Sequence, residues 1–132
     1  MRKRTTLALV WAALLIGVAG AFAQSSGSTF STAVQPIFDR ECVKCHGTKD
    51  QKATLDLSPG KSYNALVNVP SKEVPGTVRV KPGEPDQSYL WLKLEHSASK
   101  GDGMPRGLFF SKKLSQNDME AIKAWITAGA LP

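Results

Sequence analysis

The chain has 132 residues, with 17 Lys and Arg against 11 Asp and Glu, two His and only two Cys. That length accommodates one small core and leaves no room for a second domain. Two cysteines three positions apart exclude a secreted disulfide scaffold, and the lack of an arginine-rich stripe with interleaved aromatics argues against nucleic-acid binding.

Residues 1–23 read as a cleaved secretory signal. Arg2, Lys3 and Arg4 form a basic head, Leu7 to Ala19 is an uncharged and mostly apolar run of 13 residues, and Ala21-Phe22-Ala23 is a small-x-small cleavage pattern. A membrane span would require about 20 apolar residues. Cleavage is expected after Ala23, placing the domain in the periplasm or otherwise outside the cytoplasm. Losing the three basic residues takes Lys plus Arg from 17 to 14 against 11 acids, so the net charge falls from +6 to +3.

Residues 24–28 form a Ser/Gly-rich flexible lead-in, and the domain proper spans 29–132. Phe30, Val34, Ile37 and Phe38 recur at helical spacing, interrupted by Pro36, which either kinks the helix or sits in its first turn. The helical pattern leads into Cys42-Val43-Lys44-Cys45-His46. Cys-x-x-Cys-His is the spacing of a c-type haem attachment site. Positions i and i+3 of a helical turn lie about 5–6 Å apart on one face. That suits two thiols adding to the vinyl groups along one porphyrin edge. The imidazole of His46 then becomes an axial iron ligand. Two other readings compete. Zinc would require two further ligands, and only His96 and carboxylates remain, with no second ligand pair. A thioredoxin-like dithiol would follow a strand, whereas here a helical pattern precedes it. Haem is therefore preferred, and Gly47 offers a stop directly after the motif.

Residues 48–85 carry seven prolines and glycines between Pro59 and Gly76 and at Pro82-Gly83, with a further Pro85. Their short apolar pieces, Leu55-Asp56-Leu57 and Val78-Arg79-Val80, lack partners of their own, and a porphyrin would provide a surface to pack on. Asp86 is placed to cap a helix from about Gln87 to His96. Residues 97–113 form a loop containing Gly101, Gly103, Pro105 and Gly107. Ser115 opens the last helix, with Asp118 completing a short capping box. Met119, Ile122 and Ile126 form its apolar stripe, Trp125 flanks it and Gly129 ends it. The expectation is a mainly helical domain with long loops.

Three residues compete for the second axial position: Met104, Met119 and His96. Met119 falls on the apolar stripe of the last helix and reads as core. Met104 lies in Gly101-Asp102-Gly103-Met104-Pro105, where glycine allows close backbone approach and proline stiffens the loop, 58 residues after His46. His96, at the end of a predicted helix, reads as a surface residue at the negative end of the helix dipole, with iron ligation as the alternative. Met104 is favoured. Lys49, Lys52, Lys61, Lys72, Lys81, Lys100, Lys112 and Lys113 read as solvated loop charges, or else as a rim that steers acidic partners. Arg79 is a candidate for a haem propionate. No acid/base pair, serine-histidine-acid arrangement or phosphate loop is present, so no enzymatic activity is expected.

Several stretches carry a family resemblance. Cys42-Val43-Lys44-Cys45-His46-Gly47 with the later Gly103-Met104-Pro105 resembles a class I c-type cytochrome. Val34-Gln35-Pro36-Ile37-Phe38, Leu55-Asp56-Leu57, Val80 to Leu90 and Trp125 to Ala130 are similar, more narrowly, to the planctomycete-type group. The resemblance implies a helical fold with long haem-wrapping loops, in which the first and last helices cross, Phe38 and Trp125 being the contacts. It also implies Cys42 and Cys45 as thioether sites for a single covalent haem c, with His46 proximal and Met104 distal on its iron. The expected protein is an exported electron carrier and a monomer. It would serve donor and acceptor proteins and meet a membrane only through them. The alternative is a haem-based ligand sensor or peroxidase-like protein with an open or His96-ligated sixth position.

Overall fold

The computed structural model describes residues 29–107 and 109–132. The expected signal over 1–23 and the lead-in over 24–28 lie outside the described residues. Regular structure consists of helices α1 (Gln35–Glu41), α2 (Ser62–Leu66), α3 (Tyr89–Glu95) and α4 (Gln116–Thr127), joined by long loops. Among the described residues extended pieces meet at isolated bridges, among them Val67 with Val80, Pro70 with Val78 and Val78 with Ser88. The domain is mainly helical, with no strand among the described residues.

Pro36 explains how the first helix begins. It has no N–H to offer the carbonyl one turn back, and the chain before it opens into a π-helical turn, Phe30–Val34, in which the Gln35 N–H reaches Phe30 O. Pro36 itself sits in the first turn of α1. At the other end of the domain, the Ser115 side chain accepts from Asp118 N–H at 3.2 Å and donates to the Asp118 carboxylate at 2.8 Å, opening α4 as its capping pattern suggests.

α3 is shorter than expected, and Asp86 does not cap it. Pro85–Gln87 makes a separate 3₁₀ turn, and α3 starts at Tyr89. The cause is Ser88, which is fully buried. Its Oγ accepts from Lys81 N–H at 2.8 Å and donates to the Glu84 carbonyl at 2.9 Å. These bonds hold residue 88 extended, so the helix restarts only beyond it.

One core underlies all four helices. Val34, Phe38, Leu66, Leu94, Ile122 and Ile126 are essentially inaccessible to solvent. α4 packs on the π-helical turn. Phe30 therefore sits between the two rings expected to meet, 5.0 Å from Trp125 and 6.0 Å from Phe38, centroid to centroid. Phe38 and Trp125, the contacts implied by the resemblance, belong to one core cluster, with Phe30 packed on both. Arg40 ties the outer ends together through both oxygens of Asp118, at 2.8 and 2.9 Å. Gln35, buried and fully paired, donates to Asp39 at 2.7 Å and to Leu57 O at 3.0 Å, and accepts from Ser62. It fastens α1 to the loop that follows the cysteine motif and to α2.

Candidate functional site

α1 ends at Glu41, but its hydrogen bonding runs on into the motif. Cys42 and Val43 N–H groups donate to Phe38 O at 2.8 and 3.0 Å, and Cys45 and His46 donate to Cys42 O at 3.0 and 2.9 Å. This extra turn is what brings Cys42 and Cys45 to one side. Both are free and half-buried. The chain then leaves through Gly47, where a Cβ would lie 2.4 Å from Val43 O, so no other residue fits without a shift of the backbone.

The environment of the thiols bears on the competing readings. Burial, aided by Glu41, pushes the Cys42 thiol up to about 12. A thiol held protonated in this way is unlike the activated thiolate of a redox dithiol. Among the described residues no group of three or more His, Cys, Asp or Glu side chains is placed to hold a metal ion, so the zinc reading lacks its donor set.

His46 is oriented by the loop that follows it. Its Nδ1 lies 2.9 Å from the Lys52 carbonyl. A carbonyl only accepts, so Nδ1 carries the proton and the Nε2 lone pair remains available for a metal. Burial also lowers the pKa of the ring below its ordinary value, favouring the neutral imidazole that ligation requires. Gly47 N–H to Asp50 O at 2.8 Å, Lys52 N–H to Cys45 O at 3.2 Å and Leu57 N–H to His46 O at 2.7 Å close this loop with backbone bonds.

Met104 is half-buried, and its side chain packs against the same hydrophobic core as Cys42. Both of its backbone polar groups are held by the end of α3. Its N–H donates to Lys93 O at 2.9 Å, and its carbonyl accepts from His96 Nε2 at 3.2 Å. Earlier in the loop, the Lys100 carbonyl lies 2.9 Å from the Tyr89 hydroxyl and 3.2 Å from Lys93 Nζ. Both of those groups also reach Glu73 Oε2, at 2.6 and 3.0 Å. The Tyr89 hydroxyl, followed by the Lys93 ammonium, holds the Glu73 carboxyl below its ordinary pKa. Lys93 is only 6 % exposed, so this pairing satisfies a buried charge.

Sequence reasoning missed this arrangement. The available signal was the spacing of Tyr89, Lys93 and His96 at i, i+4 and i+7, a polar face on an otherwise apolar helix. The other candidates make contacts of their own. Met119 packs at the edge of the core on α4, and the Arg79 guanidinium donates to the Ala65 carbonyl at 2.8 Å. Lys61, Lys81 and Lys112 pair with Asp56, Glu84 and Glu41 at 3.4, 2.8 and 3.8 Å.

Two thiols on one turn, beside an imidazole whose Nε2 is unprotonated, form a donor set that fits covalent haem. A family model described as cytochrome c matches residues 31–129, without distinguishing the planctomycete-type subgroup. Comparison with curated proteins and with solved structures gave no match. The match spans most of the chain, and its helices, loops and donor set agree with it: the chain belongs to the cytochrome c family, whose members hold haem c and its iron covalently and support haem-based electron transfer.

Proposed function

We propose that this protein carries single electrons on one haem c attached through Cys42 and Cys45, with His46 and Met104 as the axial ligands, in a redox chain outside the cytoplasm. The observation that carries the reading is the His46–Lys52 hydrogen bond, which commits the ring proton to Nδ1 and leaves a lone pair at Nε2. When bound, the haem supplies a one-electron iron couple whose potential is higher with Met-His than with bis-His ligation. The chain supplies the rest. Cys42 and Cys45 tether the group, and the Lys52 carbonyl keeps His46 in one tautomer and orientation. The α3 end holds the Met104 backbone through its N–H and its carbonyl. His96 donates through Nε2 to Met104 O, which counts against it as the second ligand.

Residues 1–23 acting as a cleaved leader belong to the same proposal. No helix among the described residues is long and apolar enough to cross a membrane. Lys49, Lys72, Lys100 and Lys113 are exposed and form no ion pair among the described residues, leaving them as charges that steer acidic electron-transfer partners.

The test is the absorption spectrum of protein matured with the haem-attachment machinery. The expected result is covalent haem with a sulfur-to-iron charge-transfer band in the oxidised form, abolished by Met104→Ala and retained in Met119→Ala. A high-spin spectrum and ready binding of carbon monoxide by the unsubstituted protein would overturn Met104 ligation and favour the sensor or peroxidase-like reading.

A further inference from the structure

His96 stands where a helix usually ends in glycine or asparagine. Its backbone is left-handed, φ 62° and ψ 29°. For a residue with a Cβ this conformation is strained, costing on the order of 1–3 kcal/mol, and persists where the surroundings over-determine it. Three contacts do so here. The His96 ring donates from Nε2 to the Met104 carbonyl at 3.2 Å. Gly103 lies directly against the ring, since a Cβ there would come within 2.4 Å of His96 Cγ and Cδ2. The Lys93 carbonyl accepts from His96 N–H at 3.2 Å and, because Ser97 N–H bonds to Leu92 O instead, has its second lone pair free to accept from Met104 N–H at 2.9 Å. The peptide groups on both sides of the Met104 Cα are thereby tied to one helical turn.

We propose that His96 is a positioning residue: its ring, bonded to the Met104 carbonyl and seated on Gly103, fixes the direction in which the Met104 thioether leaves the loop, and so sets how firmly that sulfur holds the iron. The proposal rests on the His46–Met104 reading given above. It assigns His96 a role distinct from both surface histidine and iron ligand. The left-handed backbone aims the side chain back across its own loop, and the hydrogen bond acts on the main chain of Met104, not on its sulfur.

Two substitutions isolate the ring's hydrogen bond. His96→Leu removes the donor, whereas His96→Gln keeps an amide N–H near the position of Nε2, and both impose a similar cost at a left-handed residue. The readouts, on oxidised holoprotein, are the sulfur-to-iron charge-transfer band and the affinity for cyanide, which competes with the thioether. Losing one hydrogen bond is expected to tighten cyanide binding in His96→Leu by roughly three- to tenfold and to weaken the band, with His96→Gln near the unsubstituted protein. Gly103→Ala, which displaces the ring without altering residue 96, is expected to behave like His96→Leu and supplies the measurement if that variant does not fold. An unsubstituted protein with the band, together with unchanged cyanide affinity in both His96→Leu and Gly103→Ala, overturns the positioning role alone. Equal effects in the Leu and Gln variants overturn it too, because the hydrogen bond is then not the means. An unsubstituted protein that lacks the band overturns Met104 ligation, and the positioning role with it.

Discussion

The two sides of the candidate site are built from different materials. Around His46 the holding groups are backbone: the Lys52 carbonyl on the ring, and the Gly47–Asp50, Lys52–Cys45 and Leu57–His46 bonds around it. Around Met104 one bond is backbone, from its N–H to the Lys93 carbonyl, and the rest come from side chains of other segments, namely the His96 ring, the Lys93 ammonium, the Tyr89 hydroxyl and the Glu73 carboxylate. A backbone acceptor is present whatever residue occupies its position. A side-chain clamp vanishes with one substitution. The His46 side should therefore tolerate sequence change that the Met104 side does not.

The largest expected effect removes what the two sides share. Phe38 is wholly buried, and its carbonyl anchors the turn containing the cysteines. Phe38→Ala is expected to cost about 3–5 kcal/mol in denaturant unfolding of the holoprotein, loosening both sides together.

Lys93→Met should separate them. It removes the ammonium that joins Glu73 to the Lys100 carbonyl. Hydrogen bonds to charged groups are worth roughly 1.5–3 kcal/mol, and the expected cost lies at the low end because Glu73, 40 % exposed, can rehydrate. Amide exchange should quicken over residues 98–104 while residues 45–52 keep their protection. Equal loss on both sides would break the distinction.

Acid should act on the same clamp. Glu73 has a folded pKa below its ordinary 4.5, so its contribution to stability is present above that value and fades as pH falls through the lowered one. The stability difference between the unsubstituted protein and Glu73→Gln should thus hold steady above about pH 5 and shrink below pH 4.5. A difference that grew on acidification would have the wrong sign for this clamp.

The smallest effect sharpens the contrast from the other direction. Lys52 holds His46 through its main-chain carbonyl, and its side chain is exposed. Lys52→Ala is expected to change stability by less than about 0.5 kcal/mol and to leave the haem spectrum unaltered.

What was readable in the sequence follows the same division. The Cys42–His46 turn, the cap at Ser115 and the buried Ile122 and Ile126 all depend on residues within a turn or two of one another, so spacing alone reveals them. The Lys52 carbonyl was invisible because a backbone acceptor has no residue signature. The start of α3 was misplaced because Ser88 is held extended by groups four and seven residues upstream, which outweigh a local capping preference at Asp86. Phe30's packing on both Phe38 and Trp125 was not readable because it depends on the π-helical turn that precedes α1.

By itself the sequence determined the family, the mainly helical class and the turn that sets Cys42 and Cys45 side by side, since covalent attachment requires particular residue types at a spacing that one turn satisfies. Which nitrogen of His46 is left unprotonated, and that α3 rather than the loop's own residues holds Met104, emerged with the folded core. Those outcomes depend on hydrogen bonds between chain segments that meet only once the core has formed.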